Sequence, residues 1–356
     1  MTGRLTAPPR PRRGGGLTHQ GLIHSSSQEF LATTVPFCRE GLEQRDAVLA
    51  VTTPANIDLL RQALGDASGQ VELIDAGEWY RAPERTLGAY HRYVDQRTGT
   101  GRHQQVRVIG EPVWHGRDTL ETTEWTRYES AINVALAHCP AWIICPYDTR
   151  ALPESIVADA RRTHPHLAVA ASARPSDSYA DPAATDNGWH RPLAPVAGEG
   201  EEAFMRFGAD LSAVRSTVAE TAAEMGLSAD GTQRLVFAVN EVATNAVQHG
   251  GGTGHIAVHR AGRRIVCDVT STGRNKTDWY LGHLPPDPQQ QRGHGVWVVR
   301  QPCDLLEVHT GQDSTTVRLH VSLAWAENTG APHRLPWHRP LTGLDHLTPW
   351  ADRIVQ

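Results

Sequence analysis

The sequence predicts an α/β protein of two domains, in which a mostly parallel sheet with helices on both faces is followed by an α/β sandwich. From about residue 28 to 172, short apolar segments alternate with helical segments, a pattern typical of parallel sheets. Beyond residue 200, two helices precede a set of antiparallel strands, which indicates helices packed on one sheet. The segment 173–200 is dominated by Pro, Ala, Gly, Asp and Ser, so we predict a linker between the domains.

The remaining boundaries follow from composition. Residues 1–27 are rich in Pro, Arg, Gly and Ser and are expected to form a disordered arm. The first domain then spans 28–172, the linker 173–200 and the second domain 201–322. Residues 323–356 show no periodicity, so we assign no structure to this tail.

Each element of the first domain is predicted from an apolar run or from helical periodicity. The segment AVLAV at 47–51 is a short apolar strand, and PANIDLLRQAL at 54–64 is an amphipathic helix with Pro54 in its first turn. The further strands are 71–74, 106–109, 141–145 and 167–171, and the further helices are 121–138 and 153–163.

The second domain begins with its helices. The predicted order is helices at about 209–226 and 231–249, strands at 255–260 and 264–270, a loop, a short helix from 295, and strands at 304–310 and 314–321. In the second helix Glu241 and Asn245 lie one turn apart on one face, while Val239 and Val242 mark an apolar face. The pair is interpreted either as a solvated helix face or as a site.

Composition excludes several classes of protein. A formal net charge of −5 argues against a general binder of nucleic acid or of anionic membranes. The five cysteines include no CxxC pair, so neither a disulfide framework nor a zinc knuckle is predicted. The chain start has no apolar run of signal-peptide type, and no segment approaches the ~18 apolar residues of a membrane span. We therefore expect a cytoplasmic protein with no membrane or direct nucleic-acid partner.

Four motifs of the second domain follow one another in a characteristic order. They are NEVATNAVQHG at 240–250, VCDVTSTG at 266–273, RGHGVWVVRQPCD at 292–304 and STTVRLHV at 314–321. This series resembles the GHKL (Bergerat-fold) ATPases, specifically the anti-sigma factor serine/threonine kinases, over about residues 200–322. The resemblance implies binding of ATP with Mg²⁺, with Asn245 as the magnesium ligand and Glu241 as the general base. An amide oxygen suits Mg²⁺, which prefers oxygen ligands and keeps several waters, and a carboxylate can orient an attacking hydroxyl.

The resemblance also assigns the phosphate contacts. Gly293 and Gly295 flank His294 just before a helix, where backbone N–H groups can approach phosphate oxygens, although GxG also occurs in ordinary turns. The loop 274–292 corresponds to the lid over the nucleotide, and Thr315 on the last strand is a further nucleotide contact.

One departure concerns the adenine-binding motif. The family has an aspartate, a glycine and a second glycine where this chain has Ser271, Gly273 and Asn275. A serine hydroxyl accepts a hydrogen bond without the charge that roughly doubles its strength. A loss of about 1–2 kcal/mol means roughly five- to thirty-fold weaker ATP binding. Asp268 is an odd number of residues away and is expected on the opposite face of its strand.

The first domain resembles the MEDS sensory domain, a degenerate RecA-like or KaiC-like module. The similar segments are FLATTVPFCREGLEQRDAVLAVTTPANIDLLRQAL at 30–64, RYESAINVAL at 127–136 and CPYDTRALPESIVADARRTHP at 145–165, within a span of about 28–170. No GxxxxGK[ST] phosphate loop follows the strand at 47–51. The resemblance implies a module that senses a small ligand or a protein.

The residues of this domain that could bind a ligand could equally well have a purely structural role. Glu129 and Asn133 share a helix face, and Tyr147 and Asp148 end an apolar strand, where α/β sheets bind ligands. A helix cap and a buried tyrosine explain them equally well. The paired histidines, such as His164 with His166, lack the spacing of ligands on a helix face, so no structural metal is predicted.

Composition predicts a cytoplasmic protein, and the two resemblances imply a regulator of transcription in stress responses. A sensory domain would control an ATP-dependent kinase that phosphorylates a serine or threonine of an anti-sigma-factor antagonist, or that sequesters a sigma factor. The rival hypothesis is a pseudokinase that switches partners without chemistry, and a third is an ATPase that uses nucleotide for conformational gating. The absence of a phospho-accepting histidine motif argues against a histidine kinase, and homodimerisation is left open.

Overall fold

The computed structural model describes residues 15–184, 193–195, 203–273, 282–283 and 295–323, all inside one compact unit that spans Met1–Ala324. Two β-sheets with their own helices confirm the α/β class: a mostly parallel sheet in the N-terminal lobe (residues 18–175) and an antiparallel sheet in the C-terminal lobe (residues 203–322). In the part of the chain that the structure describes, no helix is long and apolar enough to cross a membrane.

The N-terminal sheet has seven strands. They are β1 (Thr18–His24), β2 (Ala47–Thr52), β3 (Glu72–Asp75), β4 (Val106–Gly110), β5 (Ala141–Asp148), β6 (His166–Val169) and β7 (Ser172–Pro175). Their order is β3-β2-β4-β5-β1-β6-β7. All neighbours are parallel except β7, which pairs antiparallel with β6. The predicted mostly parallel sheet is therefore confirmed.

Six helices connect these strands: α1 (Ser27–Glu43), α2 (Pro54–Leu64), α3 (Ala76–Trp79), α4 (Pro83–Thr98), α5 (Thr119–Ala135) and α6 (Glu154–Thr163), with a 3₁₀ turn at Gly65–Gln70. Local sequence explains where they begin. Thr53 caps α2 ahead of Pro54, and Asp118 forms a reciprocal capping box with Glu121 at the start of α5.

Both faces of this sheet are covered. On one face Leu22, Ile109 and Ile144 pack with Phe37 of α1 and Leu60 of α2 in a single apolar core. Side chains alternate along a strand, so the neighbouring strand positions point to the other face, where they contact α5 and α6.

The prediction of a disordered arm over residues 1–27 is wrong for residues 18–24, which form β1 in the middle of the sheet between β5 and β6. The segment THQGLIH lacks the apolar run that predicts a buried strand. Its polar side chains are instead satisfied internally: Gln20 accepts a hydrogen bond of 3.1 Å from the Trp142 indole. The strand is buried because it has partners, not because it is apolar.

The predicted start of the linker at residue 173 also needs correction. Strand β7 continues the sheet to Pro175, because Ser172–Pro175 turns back to pair with β6. The next residues remain attached: the Ser176 amide donates to the Pro165 carbonyl at 3.0 Å, and its hydroxyl to the Arg161 carbonyl at 2.5 Å.

The C-terminal sheet is antiparallel throughout. Its strands are β8 (Ala203–Phe207), β9 (Gly254–Ala261), β10 (Arg264–Thr272), β11 (Leu305–Thr310) and β12 (Ser314–Ser322), in the order β11-β12-β10-β9-β8. The helices α7 (Ser212–Glu224), α8 (Ala229–His249) and α9 (Gly295–Arg300) accompany it. Val239 and Val242 of α8 pack with Ile256, Val269 and Leu319 of the sheet, so α8 lies against its inner face.

The two lobes meet through buried ion pairs of α4. Glu84 lies 2.7 Å from Arg300 of α9 and 2.9 Å from His283, and these side chains are at most 5% exposed. The neighbouring Arg85 contacts Asp304 at 2.6 Å. Burial alone would raise the pKa of Glu84, but Arg300 and His283 hold it below its ordinary value.

The start of α5 makes a second contact between the lobes. Asp118 and Glu121 lie 2.8 and 2.7 Å from Arg264, and Glu121 also contacts Arg263 at 2.9 Å. At this contact the N-terminal lobe contributes the acidic side chains and the C-terminal lobe the basic ones.

Candidate functional site

Helix α8 carries the candidate catalytic pair. Its N-cap Ser228 accepts a hydrogen bond from the Gly231 amide at 3.2 Å, and its apolar stripe fixes the rotation of the helix on the sheet. Glu241 and Asn245 consequently lie half-buried at the margin of the core. Within the described residues neither side chain has a hydrogen bond or ion pair, so both remain able to bind a ligand. Burial raises the pKa of Glu241, which favours its acting as a proton acceptor near neutral pH.

A cavity of about 400 Å³ lies beside a different face of α8. Asn240 and Thr244 line it, together with Arg215 of α7. The Arg215 guanidinium donates to the Asn240 amide oxygen at 3.1 Å. Glu241 and Asn245 do not line this cavity, so it is separate from the candidate site.

Three of the predicted nucleotide-binding residues lie together at the ends of β10 and β12. Ser271 pairs directly with Thr315 across the ladder, and its hydroxyl donates to the Thr315 carbonyl at 3.4 Å. The Thr315 hydroxyl in turn donates to the Gly273 carbonyl at 3.3 Å. Ser271 and Thr315 are only 7% and 6% exposed. Donation to the backbone orients the Ser271 hydroxyl and leaves its lone pairs able to accept a hydrogen bond.

Gly273 has a positive φ of 109°, a conformation that favours glycine. Its amide donates to the Asp313 carbonyl at 2.9 Å, which ties the end of β10 to the turn before β12.

Asp268 is not a substitute for the missing aspartate. Its carboxylate binds the Arg318 guanidinium at 2.7 and 2.8 Å, while its neighbours Cys267 and Val269 point into the core. The expected alternation along β10 is confirmed, and the Asp268 side chain faces away from α8.

The glycine run after α8 has a role that the sequence analysis did not assign. The Gly251 amide donates to the Thr272 carbonyl at 2.6 Å, so the end of α8 rests on the end of β10. A Cβ on Gly251 would lie 2.1 Å from the Thr272 hydroxyl oxygen, and one on Gly250 would lie 2.6 Å from the Ala246 carbonyl oxygen. A run of glycines directly after the helix was the signal for this close approach.

The other predicted contacts lie largely outside the described residues. This applies to Gly293, His294 and Asn275, and to most of the predicted lid 274–292. Gly295 is described as the first residue of α9. Within the lid range, His283 is described, and it contacts Glu84 of the N-terminal lobe.

In the N-terminal lobe a carboxylate occupies the turn after β2, where the sequence analysis found no phosphate loop. Glu111 accepts hydrogen bonds from the Thr53 amide at 3.3 Å, from the Asn56 side chain at 2.8 Å and from the Thr52 hydroxyl. An internal anion therefore takes the donors at the start of α2 that a phosphate group would need.

A cleft of about 730 Å³ opens at the carboxyl ends of β2, β4 and β5. Thr53, Glu111, Trp114 and Asp148 are among its lining residues. Tyr147 is buried and does not line it. This edge of a parallel sheet is where α/β proteins bind small ligands, which makes the cleft the candidate sensory pocket.

Comparison with known families assigns both lobes. Residues 208–321 match the model of the histidine kinase-like ATPase domain, and residues 18–165 match the model of a sensory domain. The chain is thus a regulatory protein in which a sensory domain precedes an ATPase domain. The sensory family is MEDS, the methanogen/methylotroph, DcmR sensory domain, so the N-terminal lobe is a MEDS domain. No curated protein matches the sequence.

Proposed function

We propose that this protein is a sensor-controlled protein kinase of the anti-sigma factor type. Its ATPase lobe would bind ATP with Mg²⁺ and transfer the terminal phosphate to a serine or threonine of an anti-sigma-factor antagonist. The observation that carries the proposal is the pair on α8, in which Glu241 and Asn245 stand one turn apart without competing partners among the described residues, in a domain matched to the kinase-like ATPases.

The chemistry follows from the two side chains. Asn245 offers an amide oxygen to the ion, and Glu241 receives the proton of the attacking hydroxyl. When bound, Mg²⁺ neutralises charge on the nucleotide phosphates. Burial of the Glu241 carboxyl, which raises its pKa, makes it a better base than an exposed carboxylate.

The decisive experiment separates binding from transfer. Glu241→Gln keeps the size of the side chain but removes the base, so ATP affinity should be retained while phosphate transfer to purified antagonist proteins falls about 100-fold or more. Glu220→Gln, at an exposed position on α7, is the matched control and should transfer at the wild-type rate. A fully active Glu241→Gln protein would overturn the assignment of the base.

The contacts between the lobes support control of the ATPase by the sensory domain. Helix α9 begins at Gly295 of the predicted phosphate loop and ends at Arg300, which is bound to Glu84 of the sensory lobe. A small ligand in the cleft at the carboxyl ends of the strands would be the signal. We propose that ligand binding there changes the position of α4 or α5 and thereby the nucleotide site.

The second candidate function is a pseudokinase that sequesters a sigma factor or its antagonist without phosphate transfer. The observation that favours it is Ser271, a neutral hydroxyl 7% exposed where the resembled kinases carry a carboxylate. In that case the partner should bind equally well with and without MgATP, and no phosphorylated antagonist should form.

A further inference from the structure

Four buried side chains with metal-binding atoms meet inside the sensory lobe. They come from four separate places in the chain: His19 on β1, Glu129 on α5, Cys145 on β5 and His164 just after α6. All four are at most 2% exposed, and their ligand atoms lie within 4.8 Å of one another. This cluster, called the His/Cys/Glu cluster below, lies on the sheet face covered by α5 and α6, and none of its four members lines the candidate sensory pocket.

Three of the spacings between these atoms fit a four-coordinate metal ion. The His19 Nε2 atom is 3.4 Å from Cys145 Sγ and 3.6 Å from Glu129 Oε2, and His164 Nε2 is 3.3 Å from the same carboxylate oxygen. Ligands at about 2.0–2.3 Å from a tetrahedral zinc ion lie about 3.3–3.8 Å from each other.

Hydrogen bonds from outside the cluster orient both imidazole rings. His19 Nδ1 donates to the Asn133 amide oxygen at 3.1 Å, and His164 Nδ1 donates to the Ala160 carbonyl at 2.8 Å. Asn133 is itself fixed, since its amide donates to the Thr163 carbonyl at 2.8 Å. A proton on Nδ1 leaves the Nε2 lone pair of each ring directed into the cluster, as in the outer shell of known metal sites.

Three atoms at the centre of the cluster lack the hydrogen bonds that such burial requires. Both carboxylate oxygens of Glu129 and the Nε2 atom of His164 are buried without a hydrogen-bond partner. Buried polar atoms are normally satisfied, and a buried carboxylate facing two lone pairs is electrostatically costly. A cation among these atoms removes that cost.

We propose that His19, Glu129, Cys145 and His164 bind one divalent transition-metal ion of the zinc class. Two imidazoles and a thiolate select such an ion over Mg²⁺ or Ca²⁺, which take oxygen ligands. Four protein ligands complete a tetrahedron, so the ion has a structural or sensing role and no open position for catalysis. It ties β1, β5, α5 and α6 together at the centre of the sensory lobe.

Metal binding by the full chain tests the proposal. Protein stripped with a chelator and still folded by circular dichroism should take up one equivalent of Co²⁺, with visible bands of a tetrahedral ion and a near-ultraviolet thiolate-to-cobalt band. Zn²⁺ should displace the cobalt and raise the melting temperature. A folded wild-type chain that takes up neither ion would overturn the proposal, and the cluster would then be a metal-free imidazole–carboxylate arrangement.

Variants locate the ion. Cys145→Ser should abolish the thiolate-to-cobalt band, whereas Cys139→Ser, at a buried cysteine outside the cluster, should keep it. Asn133→Ala removes the partner that orients His19, together with its bond to the Thr163 carbonyl, but no proposed ligand. It should weaken metal affinity by about 10- to 100-fold and leave the stoichiometry at one. An unchanged cobalt spectrum in Cys145→Ser would place the ion elsewhere and contradict the assignment, even if Cys145→Ser or Asn133→Ala were less stable.

Discussion

Replacement of Ser271 tests whether the adenine pocket on which the kinase hypothesis depends is present. The Ser271 hydroxyl lies against the Thr315 carbonyl, in a position that is nearly closed to solvent. Ser271→Asp should tighten ATP binding by about 1–2 kcal/mol, since a carboxylate accepts a stronger, charge-assisted bond from the adenine amino group. GTP should not gain in parallel, because its base presents a carbonyl oxygen there.

Equilibrium binding measures the affinity of the wild type and of Ser271→Asp for both nucleotides. A melting curve of each protein measures its stability. A lower melting temperature without any gain for ATP would mean that the new carboxylate is buried without a partner. That result would exclude an adenine pocket at Ser271 and leave the pseudokinase as the supported hypothesis.

Asn245 permits a second test at the scale of one side chain. Asn245→Ala removes the proposed magnesium ligand from a half-buried position outside the core, so the fold should survive while the Mg²⁺-dependent part of ATP affinity is lost. Gln248→Ala, on an exposed position of the same helix, is the control. Calorimetry with and without Mg²⁺ gives the comparison, and equal affinities for wild type and Asn245→Ala would show that the ion binds elsewhere.

Among the elements, α4 makes the most buried contact between the lobes. Glu84→Gln leaves Arg300 without its carboxylate, and the loss of one member of a buried ion pair costs about 3–5 kcal/mol. The melting temperature should therefore fall, whereas Glu43→Gln, at an exposed position of α1, should leave it unchanged.

The effect of Glu84→Gln should also depend on pH. The pKa of Glu84 lies below its ordinary 4.5, so its carboxylate stabilises the fold above that pH and this contribution is lost as the pH falls. The difference in the free energy of unfolding between wild type and Glu84→Gln should be largest near neutral pH and smaller at about pH 4 or below. A difference that stayed constant over that range would contradict an ionic role for Glu84.

Elements with a strong local pattern were predictable from the sequence. Helix α2 begins and ends where its proline and apolar stripe predict. Helix α8 has the predicted apolar face and the predicted face that carries Glu241 and Asn245. Strand β1 was missed because its burial depends on partners such as Trp142, far away in the chain. The His/Cys/Glu cluster was missed for the same reason: its members are 16 to 145 positions apart and share no helix face. Tertiary pairing, which no local pattern encodes, decides both features.

At the scale of the whole molecule, the composition of the segment between the lobes predicts where a protease cuts. Limited proteolysis should cleave first between about residues 181 and 202, in the Pro-, Gly- and Asp-rich sequence after the last residues bonded to the N-terminal lobe. Since Glu84, Arg85 and Glu121 bind the other lobe, the two fragments should stay together on a sizing column. First cuts within 47–145 would contradict the domain boundary, and fragments that separate at once would contradict the contact between the lobes.

Helix α5 carries Glu129 of the His/Cys/Glu cluster and, about 12 Å earlier along its axis, Glu121 against Arg264. One helix of the N-terminal lobe thus contacts both the cluster and the C-terminal lobe, which gives a physical route for coupling between a ligand in one lobe and a ligand in the other. By thermodynamic linkage, any factor by which Zn²⁺ alters the affinity for ATP is also the factor by which ATP alters the affinity for Zn²⁺. Two titrations on the purified chain therefore measure the communication between the lobes, without knowledge of the signal or of the antagonist.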